Sequence, residues 1–257
     1  MEQSAPIVVF DSGFGGISVL KQLIACMPAE NYLYFGDSLH APYGPRPAEE
    51  VRALTLAAIR SLLPEAPKAV VIACNTATAA ALDSVQEFLP DLPVLGIRPA
   101  LKQAEAAGCR RILSLATAGT LASPSYARQL KGLRPETKVF SIAAPGIVTY
   151  VEGGRTARDE VIAYLRALLL PVGTGEIDAA VLGCTHFPFA REELRTALGR
   201  DVPFFDAGAE VAKALSLALE SSCPRSGKTA GGSVTFRNSL NTELAIRRSW
   251  ALLTSPC

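Results

Sequence analysis

The sequence predicts an α/β protein with two pseudo-symmetric α/β domains, mostly parallel sheets and a functional site in the cleft between the domains. Short apolar segments alternate with longer helical patterns along most of the 257 residues, which is typical of strand–helix units. The apolar segments are continuous, as in parallel strands that are covered on both faces. Two of them, "VVIACNTATA" and "AAVLGCTHFPF", end in a cysteine, so this arrangement occurs twice.

The first part of the chain contains four predicted strand–helix units. The apolar segment "PIVVFD" precedes a helix from about Gly16 to Met27, and "NYLYFGD" precedes a helix from about Pro47 to Leu63. The segment "KAVVIAC" leads into the helical pattern "NTATAAALDSVQEFL", and "LPVLGI" leads into "PALKQAEAAG". Each apolar segment is short enough for a strand, and each pattern that follows is long enough for a helix.

The remaining elements follow the same alternation. The strand "RRILSLA" is followed by one predicted helix over "GTLASPSYARQLKGL" and by the strand "KVFSIA". A helix at about 156–169 leads to the strands "DAAVLGC" and "VPFFDAG" and to the helix "AEVAKALSLALESS". The Gly/Ser/Pro-rich segment "CPRSGKTAGGS" predicts an exposed loop, after which "VTFRNSL" and the helix "TELAIRRSWALL" close the chain.

Two segments indicate an internal duplication. "PIVVFDSGFGG" and "RRILSLATAGT" are both apolar strands that end in a small, hydroxyl-rich turn, and each opens a unit whose later strand ends in cysteine. The alternative is that parallel α/β units resemble one another without any duplication. Two facing lobes would bring the carboxyl ends of their strands, where such folds bind ligands, to one crevice. The predicted domains are residues 1–97 with 207–257, and residues 98–206.

Composition restricts the class of ligand. The chain has 25 basic and 24 acidic residues and a net charge of +1, without a basic tail, which argues against nucleic acid as a partner. No apolar run approaches the roughly 18 residues of a membrane span, and the N-terminal segment lacks a secretion-signal pattern. Six cysteines without C-x-x-C pairs fit reduced thiols in a cytoplasm. We therefore expect a cytoplasmic protein that acts on a small molecule.

Cys74 and Cys184 are the main candidates for chemistry. A single cysteine is most often a small buried hydrophobic residue. These two lie where a parallel strand ends and a helix begins, and a helix N-terminus is expected to lower the pKa of a thiol and to favour the reactive thiolate. Cys26, Cys109 and the two cysteines of the C-terminal region lack this setting.

His186 follows Cys184 by two positions and is a natural proton partner for a thiol. A zinc site is not expected, because Cys184 and His186 supply two ligands without a matching second pair. Two other functions stay open at this point. A hydrolase could use Cys184 with His186 but would leave Cys74 unexplained, and a two-lobed protein could bind an amino acid without catalysis.

Polar turns after other strands offer binding groups. "FDSGFGG" lacks the third glycine of a dinucleotide-binding motif, since Ser18 stands there, and Asp11 would repel a phosphate. Asp11 could instead pair with a substrate cation and Ser12 could donate to an anion, although an Asp–Ser cap is the structural alternative. In "GDSLHAPYG", backbone N–H groups and the Tyr43 hydroxyl could face a carboxylate. Thr117 and Thr120 supply further donors.

In order along the chain, "FDSGFGGISVL", "GDSLHAPYG", "ACNTATA", "ATAGT", "VE" at 151–152 and "LGCTHFPF" resemble the signature segments of the glutamate racemase family. The resemblance covers about Ile7 to Gly208 and includes both cysteine motifs. It implies two pseudo-symmetric α/β domains with the active site in the interdomain cleft, no cofactor and no metal. The implied activity is the interconversion of L- and D-glutamate, which supplies D-glutamate for peptidoglycan synthesis.

The resemblance also implies roles for individual residues. Cys74 would take the α-proton from D-glutamate with help from Asp11, and Cys184 would take it from L-glutamate with help from His186 and Glu152. The α-carboxylate and the ammonium group would be held by Asn75, Thr76, Thr117, Thr120 and Thr185. Ser12 and the turn of Pro42, Tyr43 and Gly44 would bind the side-chain carboxylate.

Other features of the resemblance concern selectivity and assembly. Aspartate racemases usually have Glu at the position of His186, which favours glutamate as the substrate. Many relatives have Arg at the position of His40, so the charge at the rim of the pocket is expected to differ. A homodimer is the assembly to test, and neither nucleic acid nor a membrane is expected as a partner.

Overall fold

Nine parallel strands form the framework of the protein in a computed structural model that describes residues 4–173, 177–222 and 231–256. The strands are β1 (Ile7–Asp11), β2 (Tyr32–Gly36), β3 (Ala69–Ile72), β4 (Val94–Gly96), β5 (Arg111–Ala116), β6 (Lys138–Ala143), β7 (Ala179–Gly183), β8 (Phe204–Phe205) and β9 (Val234–Asn238). They form one sheet in the order β4-β3-β1-β2-β9 and another in the order β6-β5-β7-β8. All strand pairs in both sheets are parallel, as the continuous apolar segments predicted.

Helices connect the strands. They are α1 (Ile17–Cys26), α2 (Ala48–Leu62), α3 (Asn75–Phe88), α4 (Leu101–Ala106), α5 (Ala118–Leu121), α6 (Pro124–Lys131), α7 (Pro145–Glu152), α8 (Arg158–Leu169), α9 (Arg191–Leu198), α10 (Gly208–Ser222) and α11 (Glu243–Thr254). Within the described ranges, no helix is both long enough and apolar enough to cross a bilayer. Most of the predicted loop "CPRSGKTAGGS" lies outside the described residues.

The two sheets repeat one topology, in agreement with the predicted pseudo-symmetry. In each lobe the first strand is central, the second lies on one side of it, and the third and fourth follow on the other side. Strands β1 to β4 therefore correspond to β5 to β8, while β9 extends the first sheet beyond β2. Cys74 follows β3 and Cys184 follows β7, so the two cysteines occupy equivalent ends of equivalent strands. The residue-level domain boundaries given above remain a prediction.

Four helices differ from the prediction. The segment "GTLASPSYARQLKGL" is two helices, α5 and α6, because Ser123 has an extended backbone and caps the second with a hydrogen bond from Tyr126 N at 3.1 Å. Pro124 follows at the first helical position, where its fixed φ fits and no N–H is required. Helices α7 and α9 were not predicted. Each has only eight residues, and α7 is rich in β-branched residues that also suit a strand.

An apolar core joins the two lobes beneath the cleft. Ile17 and Leu20 of α1 belong to one buried cluster with Leu182 of β7. The same cluster includes Phe187, which follows β7, and Leu215 of α10. Separate clusters fill the outer sides of the two sheets. The continuous inner core fixes how the carboxyl ends of the two sheets face each other, and this arrangement positions the site.

Candidate active site

A cavity of about 570 Å³ lies between the lobes, at the carboxyl ends of strands from both sheets. Its volume is within the range of about 300–1,000 Å³ that is usual for small-molecule sites. Most of the residues that the sequence singled out line it: Ser12, Pro42, Tyr43, Gly44, Cys74, Asn75, Thr76, Thr117, Glu152, Cys184, Thr185 and His186. Two predicted residues, Asp11 and Thr120, lie behind this wall.

Cys74 begins α3 as its N-cap residue. Its Sγ accepts hydrogen bonds from Ala77 N and from the Ser12 hydroxyl, both at 3.4 Å. Burial and, to a smaller extent, the nearby charge of Asp11 raise the pKa of Cys74 to about 12, although the hydrogen bonds from Ser12 and Ala77 act in the opposite direction. The prediction that the helix N-terminus lowers the pKa of this thiol is therefore wrong, because desolvation outweighs the helix effect. Cys74 is a neutral thiol at neutral pH.

Cys184 lies in a different electrostatic environment. Its Sγ is 3.7 Å from His186 Nδ1, and His186 Nε2 is 2.6 Å from Glu152 Oε1. Burial lowers the pKa of His186, but the hydrogen bonds and charges of Cys184 and Glu152 outweigh burial and raise that pKa well above its ordinary value. The ring is thus an imidazolium that lies next to the Cys184 sulfur.

The carboxylate of Glu152 completes this chain of contacts. Burial raises the pKa of Glu152, but the hydrogen bond and charge of His186, together with the Phe14 N–H and the charge of Arg248, outweigh burial and hold that pKa below its ordinary value. The N–H of Phe14, from the other lobe, donates to the same Oε1 atom at 2.9 Å. Glu152 therefore stays ionised and orients the imidazolium.

Asp11 is fully buried at the end of β1. Its Oδ1 accepts from Gly13 N at 2.9 Å, and its Oδ2 accepts from the Thr185 hydroxyl at 3.0 Å. Burial raises the pKa of Asp11 despite the opposing effects of His186 and these hydrogen bonds. The carboxyl group thus touches the residue that follows Cys184 and also acts electrostatically on Cys74.

Three threonine hydroxyls connect the lobes on another side of the cavity. Thr76 Oγ1 lies 2.8 Å from Thr117 Oγ1, and Thr117 Oγ1 lies 3.0 Å from Thr120 Oγ1. Thr117 caps α5 by accepting from Thr120 N at 3.2 Å. Thr120 is only 2% exposed and is separated from the cavity by its two partners. Thr76 and Thr117 are the members of this group that can meet a ligand directly.

The turn at Pro42 to Gly44 closes one end of the cavity. The Tyr43 hydroxyl donates to Asp37 Oδ2 at 2.6 Å, and His40 Nδ1 lies 2.9 Å from both oxygens of the same carboxylate. The expectation that this hydroxyl faces a ligand carboxylate is corrected accordingly, since its acceptor is Asp37. The Tyr43 hydroxyl is thus already engaged within the protein.

Helix α7 supplies a part of the wall that the sequence analysis missed. Pro145, Val148 and Thr149 line the cavity beside the predicted Glu152, and their spacing of three and four residues places all four on one helical face. That spacing was the available signal. Among the residues that the structure describes, neither Lys nor Arg lines the cavity, and no group of three His, Cys, Asp or Glu side chains has a metal-binding arrangement.

Comparison with known proteins identifies the family. The family model described as "Asp/Glu/Hydantoin racemase" matches residues 9–215. The chain belongs to the Asp/Glu/Hydantoin racemase family. It is therefore an isomerase, and the matched region contains both cysteine motifs and all the elements that line the cavity.

Relatives within this racemase family cover nearly the whole chain. A glutamate racemase from Clostridium perfringens (strain SM101 / Type A) is 37% identical over 252 residues, which are 98% of this chain and 97% of the relative. The glutamate racemase isoform RacE1 from Bacillus anthracis has a crystal structure with a TM-score of 0.87 and 32% identity, covering 99% of this chain and 96% of that one. The Francisella tularensis glutamate racemase in complex with D-glutamate has a TM-score of 0.83 and 27% identity, covering 99% and 96%.

Proposed function

We propose that this racemase interconverts L- and D-glutamate by removing and returning the α-proton with two thiols, Cys74 and Cys184, and without a cofactor. The observation that carries the proposal is that both thiols line one cavity from equivalent strand ends of the two lobes. The similar proteins named above are glutamate racemases, and one of them is described in complex with D-glutamate. The proposed product, D-glutamate, would serve peptidoglycan synthesis.

The two thiols would exchange protonation states in each turnover. From L-glutamate, the Cys184 thiolate would take the α-proton and become a thiol, leaving a carbanion at the α-carbon. The Cys74 thiol would then give its proton to the opposite face and become a thiolate, so that charge and protons balance. D-Glutamate would follow the same steps in reverse. The imidazolium of His186 beside Cys184, and the raised pKa of Cys74, support the starting state that L-glutamate requires.

The carbanion needs electrostatic stabilisation because an α-hydrogen of an amino acid is very weakly acidic. Asn75 and Thr76 line the cavity at the N-terminus of α3, where N–H groups and the helix dipole favour an anion. Thr117 and Thr185 add hydroxyl donors. We assign the α-carboxylate and the ammonium to these groups, with Thr120 acting through Thr117. Donors already fixed in position stabilise a developing charge more effectively than water does.

The side-chain carboxylate of glutamate is assigned to Ser12 and to the backbone of Pro42, Tyr43 and Gly44. These residues line the cavity from the first lobe, whereas α7 lines it from the second lobe. Without Lys or Arg on the described part of this wall, the selectivity for a dicarboxylate would depend on hydrogen-bond donors and on the length of the cavity. Aspartate is shorter by a methylene group and would leave one of its carboxylates without these partners.

The remaining expectations are proposals about cellular setting and organisation. Cys26, Cys74, Cys109 and Cys184 are all free thiols, which supports a reducing cytoplasm as the compartment. We retain residues 1–97 with 207–257, and residues 98–206, as the two domains, because the sheets divide between these ranges. A homodimer remains the assembly to test.

The proposal is tested by incubating the protein with L-glutamate in D₂O and following optical rotation together with NMR of the α-position. Loss of rotation accompanied by deuterium at the α-carbon is expected. Cys74→Ala and Cys184→Ala should each lower turnover by about 10²–10⁴-fold, the usual contribution of a general acid or base. Aspartate should be a poor substrate in the same assay.

The same experiment separates the alternatives. A hydrolase that uses Cys184 and His186 would keep most of its activity in Cys74→Ala. A protein that only binds an amino acid would bind glutamate without incorporating deuterium. Either result would contradict the two-thiol proposal.

A further inference from the structure

Arg248 on α11 links the C-terminal helix of the first lobe to the end of α7 in the second lobe. Its Nη1 donates to the main-chain carbonyl of Glu152 at 2.5 Å. Its guanidinium also lies over the Phe14 ring, 5.5 Å from the ring centroid. Arg248 therefore contacts two residues that both take part in the contacts around His186.

The two residues that Arg248 holds are themselves joined. Phe14 N donates to Glu152 Oε1, and this oxygen is also the partner of His186 Nε2. Arg248 thus holds the main chain of Glu152 through its hydrogen bond to the carbonyl. It also packs on the ring of Phe14, and the N–H of Phe14 holds the side chain of Glu152. Because both the main chain and the side chain of Glu152 are held, its carboxylate has little freedom to turn away from the imidazolium of His186.

The local structure explains why an arginine suits this place. Glu152 is the last residue of α7, and the final carbonyls of a helix lack partners within the helix. The carbonyls of residues 149–151 accept from the N–H groups of residues 153–155, and the carbonyl of Glu152 accepts from Arg248. A cation at a helix C-terminus is also favoured by the helix dipole.

We propose that Arg248 is a positioning residue for the Cys184 half of the reaction, acting through Glu152 and His186. This inference rests on the proposed function, because it requires that Cys184 breaks the carbon–hydrogen bond of L-glutamate. Arg248 does not line the cavity that holds the two thiols. Its loss should therefore slow proton transfer at Cys184 without removing a contact to the substrate.

The adjacent residue on α11 provides a matched control. Arg247 pairs with Glu243 at 2.6 Å, and both side chains are largely exposed. Arg247→Met removes the same charge from the same helix without touching Glu152 or Phe14. The comparison of Arg248→Met with Arg247→Met thus separates the specific contact from a general effect on the helix.

The test measures kcat and KM for both enantiomers of glutamate. Arg248→Met should lower kcat about tenfold, the loss expected for one hydrogen bond from a charged donor, and should change KM by less than about twofold. Arg247→Met should leave both constants unchanged. Arg248→Lys keeps a cation over Phe14 and a donor near the carbonyl, and should recover most of the lost activity.

Primary isotope effects on turnover distinguish positioning from a purely structural role, because a purely structural role would not shift them in opposite directions for the two enantiomers. With α-deuterated L-glutamate, slowing the Cys184 step makes bond breaking more rate-limiting, so the primary isotope effect should rise in Arg248→Met. With α-deuterated D-glutamate, bond breaking occurs at Cys74 and becomes less rate-limiting, so the effect should fall. If Arg248→Met does not fold, the same opposite shifts, of smaller size, are expected in Arg248→Lys.

The inference would be overturned by unchanged kcat in folded Arg248→Met, or by equal losses in Arg248→Met and Arg247→Met. Isotope effects that move in the same direction for both enantiomers would also overturn it. These outcomes are distinct from failure of the proposed function, which would appear as a wild-type protein that does not racemise glutamate.

Discussion

Cys74 and Cys184 are the same residue type at equivalent strand ends, but their charged neighbours have opposite signs. Asp11 acts on Cys74 and, together with burial, favours the neutral thiol. The imidazolium of His186 instead lies beside Cys184, with its Nδ1 3.7 Å from the Cys184 Sγ. The proposed reaction needs one charged and one neutral thiol, and this difference between a carboxylate and a histidine is what would prepare it before substrate binds.

This asymmetry predicts different rates of alkylation. With iodoacetamide at about pH 7, Cys184 should react at least about tenfold faster than Cys74, because the thiolate is the nucleophile. His186→Asn should remove most of the difference by removing the positive charge. Mass spectrometry of the peptides over time measures each site, and the exposed thiol of Cys26 provides an ordinary reference in the same sample. Faster modification of Cys74 would contradict the assignment of charges.

At the residue scale, the sequence located the residues that line the cavity better than it predicted their electrostatics. Cys74, Cys184 and His186 could be found because their positions relative to predicted strand ends are a local property. The pKa of Cys74 could not, since it depends on burial and on Asp11, which is 63 positions away in the chain. The partner of the Tyr43 hydroxyl was likewise missed, because that pairing depends on how one turn folds back on Asp37.

The loop between β1 and α1 packs directly on the second lobe. A Cβ atom at Gly15 would lie 2.3 Å from His186 Nδ1 and 2.5 Å from Thr185 Oγ1. A Cβ atom at Gly13 would similarly collide with the Glu152 carboxylate. The two glycines thus allow the backbone of one lobe to approach the proposed catalytic groups of the other.

Gly15→Ala is expected to damage catalysis more than folding. The added methyl group must displace the imidazole of His186 or separate the lobes locally, and a misplacement of about 1 Å can cost about 10²-fold in rate. Racemisation rates and urea unfolding of the variant measure the two effects. Gly132→Ala is the control, since its added Cβ would have no neighbour closer than 3.5 Å. Wild-type activity in Gly15→Ala would show that the close approach is not required.

At the element scale, the strands were easier to predict than the short helices. Each strand is a continuous apolar segment with its own signal, whereas α7 and α9 are only eight residues long. The break between α5 and α6 has a local signal, because Ser123 followed by Pro124 is a typical start of a helix. It was missed because the surrounding residues continue a helical pattern.

The whole molecule is held together around the cavity by contacts between residues far apart in the chain. Ser18 donates to the Thr185 carbonyl at 2.8 Å, and Gly119 N donates to the Gly44 carbonyl at 3.0 Å. The contacts of Asp11 with Thr185 and of Phe14 with Glu152 cross the same boundary. The sequence predicted two lobes and a cleft from the repeated pattern, but such pairings and the strand order depend on tertiary packing.

Several buried titratable groups should also affect the stability of the whole molecule. Burial raises the pKa of Cys74, Tyr32, Tyr34, Tyr43 and Tyr126, so all five favour the protonated, neutral form in the folded state. A group whose pKa is higher in the folded than in the unfolded state binds more protons when folded. The free energy of unfolding therefore falls as pH rises above the ordinary pKa of such a group.

Buried thiols should act first on this alkaline limb, because a thiol ionises in the unfolded chain near pH 8.5, whereas tyrosine ionises near pH 10, and burial raises the pKa of both Cys74 and Cys109. The contribution of Cys74 is fully present below about pH 8.5 and is lost as pH rises toward its folded pKa of about 12. Between about pH 8.5 and about pH 9.5 we expect a loss of about 1 kcal/mol in the free energy of unfolding, measured by urea titration.

Cys74→Ala should make this dependence of the free energy of unfolding on pH shallower, whereas Cys26→Ala, which removes an exposed thiol, should leave it unchanged. Equal slopes in wild type and Cys74→Ala would mean that the Cys74 thiol is not protected from ionisation in the folded protein, and the neutral starting state assigned to it would be wrong.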